Sequence, residues 1–170
     1  MQQALITSDN WPYGLHRARD ERFFKGEKII AVRKCAEPTF TYTDFDCYVS
    51  ATFYVIKTER INLKYLTAFL NSKFVAFWLR NKGKMQGNNY QIDKEPLLAI
   101  PVFKPSNKEQ QPIIMLVDRI LTATKDEDCL TNPAKQAKVE EYERQIDQLV
   151  YGLYGLTPEE IAVVEGSVKG

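Results

Sequence analysis

From Asn62 to Arg80, apolar residues recur at Leu63, Leu66, Phe69, Leu70, Phe74, Phe77 and Trp78, a spacing that leaves one continuous buried face on a helix. The pattern predicts one long core helix. Asn62 stands where an N-cap accepts from the first free N–H groups, and Lys82 and Lys84 lie past the last turn, where they complement the helix dipole. The period then stops. Gly83, Gly87, Asn88 and Asn89 favour turns, so the stretch to Gln91 reads as a polar loop in which Tyr90-Gln91-Ile92 extends briefly. Pro96 and Pro101 interrupt any helix around Leu97 to Ile100. A second helical period follows with Ile113, Ile114, Leu116, Val117, Ile120 and Leu121 as its stripe. Its start falls at Ser106 or Asn107, Glu109 sits in the first turn, and Pro112 is expected in that opening turn.

Upstream, the alternation is of the strand kind. Lys28 to Arg33 is a β-branched run, and Thr39 to Thr43, Cys47 to Ser50 and Thr52 to Thr58 read as further strands separated by Pro38, Asp44 and Asp46. Residues 1–16 show no period, and Arg17 to Gly26 is compatible with a short helix closed by its glycine. Downstream, Asn132-Pro133 opens a helix whose apolar positions Tyr142, Ile146, Leu149 and Leu153 form a narrow seam suited to another helix; Gly152 and Gly155 mark its end. Thr157 to Glu160 is a capping box for one last short helix through Val164. The expected fold class is therefore α/β (α+β): a small, mostly antiparallel β-sheet packed on a long core helix, followed by a C-terminal helical spacer. The expected division is a lead-in over 1–26, an α/β domain over 27–126 and a helical tail over 132–165.

Composition changes this picture little, but charge changes it more. With 170 residues, 44% of them hydrophobic, the chain can build a core. The net charge of +1 hides a segregation: residues 61–108 carry eight basic and two acidic residues, whereas 109–170 carry six basic and twelve acidic. The positive excess thus falls on the core helix and polar loop, and a basic face gains affinity for phosphates by releasing their counterions. The acidic helices should face away from such a ligand. No apolar run is long enough to span a bilayer and the N-terminus lacks a signal-peptide pattern, so a cytoplasmic location is expected.

Enzyme chemistry finds little support. Cys35, Cys47 and Cys129 have no CxxC spacing, and His16 is the sole histidine, which removes every arrangement needing two. There is no GxGxxG, Walker loop, HExxH or GxSxG, and no polar-Pro-Pro-aromatic loop of an adenine methyltransferase. Asp20 with Glu27-Lys28 misses the acidic spacing of a magnesium-dependent nuclease. What recurs is Lys or Arg beside aromatic or amide residues: Arg33 and Lys34 leaving the first strand, Tyr42 and Tyr48, and Lys82 through Gln91. Lysines find phosphate, Arg at a strand end reaches guanine, and Asn or Gln pairs with adenine edges. The candidates are Arg33, Lys34, Lys82 and Lys84 for the DNA backbone, and Asn88, Asn89, Tyr90 and Gln91 for the bases.

The ordered signatures EKIIAVRK, DCYVSATFYVIKT, LKYLTAFLNSKFVAFWLR, GNNYQIDKEPLLAIPV, EQQPIIMLVDRIL and IDQLVYGLYGLTPEEIAVVE resemble the TaqI-like C-terminal specificity domain. This is the target-recognition domain of Type IIG (Eco57I-type) restriction-modification enzymes and adenine-specific methyltransferases, related to Type I specificity subunits. The resemblance runs from about Gly26 to Glu165. It implies a reader of a short double-stranded DNA sequence, without catalysis of its own, serving a methyltransferase domain and often a restriction endonuclease elsewhere in a parent protein. The cofactors implied, S-adenosylmethionine and magnesium, belong to that parent. The competing expectation is a protein-interaction module that uses the Tyr142/Ile146/Leu149/Leu153 seam and never touches DNA; a third is a cryptic nuclease.

Overall fold

A computed structural model describes residues 20–125, 128–129 and 131–168. The lead-in 1–16 with His16, the start of the expected Arg17 helix, and Asp126 and Glu127 of the acidic break lie outside the described residues. What is described before the first strand is a single 3-10 turn, Glu21–Phe23, whose Asp20 cap accepts from the Arg22 N–H.

The first sheet has β1 (Lys28–Val32) in its middle. On one edge it pairs antiparallel with β3 (Phe40–Thr43) and on the other with β4 (Phe53–Ile56). Ile29 and Ala31, fully buried, point to the core on the same face of β1. Both edges of β1 are thereby filled; Cys47 to Ser50, expected as a strand, joins neither sheet and runs as irregular chain. That crossover is tied down instead. Lys28 is wholly buried, and its Nζ donates to the Gly26 carbonyl at 2.9 Å and the Phe45 carbonyl at 2.5 Å; the Cys47 N–H reaches the Phe24 carbonyl.

The single core helix expected over Asn62 to Arg80 is two helices, α1 (Leu63–Asn71) and α2 (Lys73–Lys82), parted at Ser72. Hydrophobic period alone does not see the break because its causes are side-chain bonds. Asn71 gives and receives bonds with the Phe40 backbone on β3 at 2.7 and 2.9 Å, Ser72 caps Val75, and the Lys73 N–H donates to Asp147 Oδ1 at 2.8 Å from a later helix. Leu63, Leu66, Phe69 and Leu70 of the expected face are buried. Past the break the buried set becomes Val75, Ala76 and Leu79, with Phe74, Phe77 and Trp78 half-buried.

The remaining helices are α3 (Lys94–Leu98), α4 (Asn107–Thr124), α5 (Pro133–Tyr154) and α6 (Pro158–Val168). Pro96 does not prevent α3, because it occupies the first turn, where no intrahelical N–H is required of it. Ser106 and Glu109 form a complete capping box on α4. Pro112 lies one turn deeper than expected, as the sixth residue of the helix, where the carbonyl of exposed Lys108 goes without a ladder donor. Asn132 caps α5, Pro133 is its first residue, and Gly155 ends it at φ 63°. The Thr157/Glu160 capping box opens α6, which runs past Val164. Ile146 and Val150 of α5 join Ile113, Leu116 and Val117 of α4 in the core cluster that also holds the strands and α1. The seam expected to meet another helix therefore packs, with half-buried Tyr142 and Leu153, onto α4 of its own chain, and leaves Leu149 exposed.

Candidate nucleic-acid interface

The Gly83 to Gln91 stretch is a β-hairpin. Strand β5 (Lys84–Gln86) pairs antiparallel with β6 (Asn89–Gln91) across the two-residue turn Gly87-Asn88, and Gly87 has φ 60°, which a glycine adopts without strain. A third strand, β2 (Lys34–Cys35), pairs antiparallel with the other edge of β6, making a sheet of order β2-β6-β5. The Ile92 N–H to Arg33 carbonyl bond at 2.8 Å extends this pairing. Two candidate clusters far apart in the chain thus become neighbours.

Register sorts their side chains into rows. Lys34, Gln91 and Lys84 stand opposite one another, and Asn89 opposite Gln86; in a pleated sheet these residues share one face. Lys34, Lys84, Gln86 and Asn89 are exposed and Gln91 is half-buried. The intervening row, Cys35, Tyr90 and Met85, faces inward. Tyr90 is 5% exposed and belongs to the core cluster, so it holds the sheet to the body of the domain and is not available to a base. Asn88 sits exposed at the tip of the turn.

Lys82 is exposed at the end of α2, and Gly83 delivers the chain from helix to hairpin. The Gly83 N–H bonds the Leu79 carbonyl at 2.8 Å, and a Cβ at this position would lie 2.5 Å from that oxygen. The helix end and the hairpin start are therefore coupled through a residue that no side chain can replace without movement.

Electrostatically the face is basic with one anion built in. Gln91 Nε2 donates to Asp93 Oδ1 at 3.1 Å, and Lys84 Nζ lies 3.5 Å from Asp93 Oδ2. The Gln91 hydrogen bond first, then the Lys84 and Arg33 charges, hold the Asp93 carboxyl below the ordinary carboxylate range, so it is ionised at neutral pH. The Arg33 guanidinium lies over the Tyr54 ring at 5.2 Å. Val32, Arg33, Lys34, Thr52 and Gln91 line a groove of about 250 Å³ beside this row. Its two cations, amide and hydroxyl suit an anion or a base edge, and fit neither magnesium nor the sulfonium of S-adenosylmethionine.

The two tyrosines singled out with these residues are engaged elsewhere. Tyr42, on β3 of the other sheet, donates its hydroxyl to Glu27 at 2.6 Å under the Lys64 ammonium. Tyr48 lies in the irregular crossover, against Phe24, with its hydroxyl on Glu21. A larger, apolar groove of about 630 Å³ lies between α4 and α5, lined by Pro112, Met115, Leu116 and Leu149 with Arg119, Glu141 and Arg144 at its rim. Its charges pair locally, Arg144 with Glu141 and Arg119 over Tyr142.

Gln86 and Asp93 are the residues that reasoning from sequence missed. Their signal is present: Lys84-Met85-Gln86 and Asn89-Tyr90-Gln91 alternate polar and apolar on either side of Gly87-Asn88, which is a hairpin pattern with a two-residue turn.

The sequence profile of the TaqI-like C-terminal specificity domain matches residues 7–102. The Type II methyltransferase M.HincII of Haemophilus influenzae is 32% identical over 115 residues, covering 59% of this chain and 23% of that protein. M.HindII from Haemophilus influenzae strain ATCC 51907 / DSM 11121 / KW20 / Rd matches at the same identity, with 22% of its length covered. The chain thus spans less than a quarter of these relatives. Among solved structures, the Type IIL restriction-modification enzyme MmeI in complex with DNA has a similar fold, at TM-score 0.70 and 16% identity, over 93% of this chain and 22% of that one.

Proposed function

Because this chain belongs to the TaqI-like C-terminal specificity domain family, we propose that it reads a short sequence in duplex DNA for a restriction-modification enzyme. The methyltransferase, and any endonuclease, would lie in other parts of a longer protein. S-adenosylmethionine and magnesium would serve those parts.

The observation that carries this reading is the outward row Lys34, Gln91, Lys84. Adjacent strands lie about 4.8 Å apart, so the two lysine positions are separated by roughly 10 Å with the glutamine between them. A B-DNA major groove is about 12 Å wide. The β5/β6 hairpin is a two-stranded ribbon of the kind that groove admits, and it can enter with Gln91, Asn89 and Gln86 toward base edges while Lys84 and, from the flanking strand β2, Lys34 meet phosphates on either side. Arg33, beside the row, and Lys82, at the foot of the hairpin, add further phosphate contacts, and Asn88, exposed at the tip, adds a further amide for a base edge. The acidic helices α5 and α6 stay away from the duplex and provide the face toward the rest of the enzyme.

Fluorescence anisotropy of the chain with short labelled duplexes tests the reading. Affinity should fall steeply as salt rises, and Lys82→Glu with Lys84→Glu should abolish binding while leaving the fold intact. A flat salt response, or full binding by that double variant, would remove DNA from the function and return the interaction-module reading.

A further inference from the structure

Asp93 occupies the N-cap position of α3 yet makes no side-chain bond to the helix N–H groups. Its carboxylate turns to the hairpin, where one oxygen takes the Gln91 amide N–H and the other faces Lys84. With the side chain 21% exposed, the group lies low on a basic face, in a place where a bare carboxylate would repel a phosphate.

We infer that Asp93 is a positioning residue that locks the Gln91 amide in the one orientation able to pair with adenine. This rests on the DNA-reading function proposed above. An amide bound to a carboxylate is not free to flip: Nε2 donates to Asp93, whereas the flipped amide would set Oε1 against an anion. Nε2 carries two hydrogens, and Asp93 uses one. That leaves the second hydrogen and Oε1 for a ligand, and together they match the N7 acceptor and N6 donor of adenine in the major groove. Guanine offers two acceptors there and leaves Oε1 opposite another oxygen. Asp93 therefore sets which base Gln91 prefers without touching the base. Lys84, 3.5 Å away and 74% exposed, is held loosely enough to leave Asp93 for a phosphate when duplex arrives.

The test is selection from a random-sequence duplex pool, with base frequencies read position by position, alongside anisotropy on random duplex across a salt series. The wild-type chain should prefer adenine at one position by about tenfold or more, the scale of one bidentate pair, and Gln91→Ala should erase that preference. Asp93→Asn should cut it severalfold at that position alone, since an asparagine accepts either face of the Gln91 amide. The same variant removes an anion from a basic face, so its affinity for random duplex should hold or rise. A structural defect would instead lower affinity for every duplex and shift the melting temperature. Unchanged adenine preference in Asp93→Asn overturns the inference, as does a loss of preference spread over all positions. A wild-type chain that binds no duplex at all overturns the DNA-reading function and this inference together, whereas selective binding that ignores Asp93 overturns the inference alone.

Discussion

Replacing Lys34 and Lys84 together by alanine should change the salt dependence of DNA binding by a countable amount. Each phosphate neutralised in B-DNA contributes a slope of about 0.9 to the fall of log affinity with log salt, so losing two should flatten the line by about 1.8. Lys84 starts in a loose ion pair with Asp93, at 3.5 Å and with its own side chain 74% exposed, so the pair withholds little from the phosphate. Both lysines are exposed and neither enters the core, so the thermal midpoint should stay where it is. Titrations of labelled duplex by anisotropy at several salt concentrations give the slopes, with Lys138→Ala, exposed on the acidic helix α5, as the control that should change nothing. Because phosphate contacts carry no sequence information, the ratio of affinities for selected and random duplex should survive the double substitution. A slope equal to the wild type's, or a collapse of that ratio, would refute the placement of these lysines over phosphates on either side of Gln91.

Substitutions at three further positions probe the scaffold. Gly83→Ala should cost about 1–3 kcal/mol in urea denaturation, because its Cβ meets the Leu79 carbonyl at 2.5 Å; an unchanged midpoint would mean that the junction yields freely. Lys28→Met should cost about 1–3 kcal/mol by orphaning the Gly26 and Phe45 carbonyls, and a stabilised variant would show that burying the ammonium outweighs its two bonds. Burial raises the Asp147 carboxyl above its ordinary 3.8 against a smaller opposing effect from the Lys73 N–H and ammonium, so its stabilising contribution is complete below about 3.8 and is lost as pH rises through the folded-state value. Asp147→Asn keeps an acceptor for the Lys73 N–H and sheds the charge. It should therefore match wild type in acid and exceed it at neutral pH, while Asp147→Ala should be destabilised by about 1–3 kcal/mol throughout; an Asn variant weaker than wild type at neutral pH would show that the Lys73 pair dominates.

Most local signals on this chain were legible, the exceptions being Pro96, which sits inside a short helix, and Pro112, which lies one turn deeper than its opening-turn expectation. The Ser106, Asn132 and Thr157 caps, the β1 run and the apolar stripe of α4 all formed where their side chains indicated. Non-local causes were not legible. The break at Ser72 depends on Phe40 and Asp147, residues of β3 and α5, and the segment leading into the Cys47 to Ser50 run is held by bonds to Phe24 and Lys28, distant in sequence, instead of by a strand partner. At the candidate site, Arg33, Lys34, Lys84 and Gln91 were visible as residue types, but their shared row exists only through the β2 to β6 pairing. Tyr90 was misread because Gly83 to Gln91 was taken as a loop; once the stretch is a hairpin, Tyr90 is the apolar position of its strand and its ring points inward.

The register of β5 and β6 also bears on how a reader built on the proposed row could acquire new targets. Lys84, Gln86, Asn89 and Gln91 can be exchanged by point substitution without altering the volume enclosed by Met85 and Tyr90, so binding preference can drift while the fold keeps its stability. An insertion of one residue within either strand has the opposite effect, since it turns every following side chain to the other face and would drive lysine and glutamine inward as the tyrosine emerged. Evolution and engineering alike are thereby confined to rewriting letters in these two strands, with changes of length tolerated only at the Gly87-Asn88 tip.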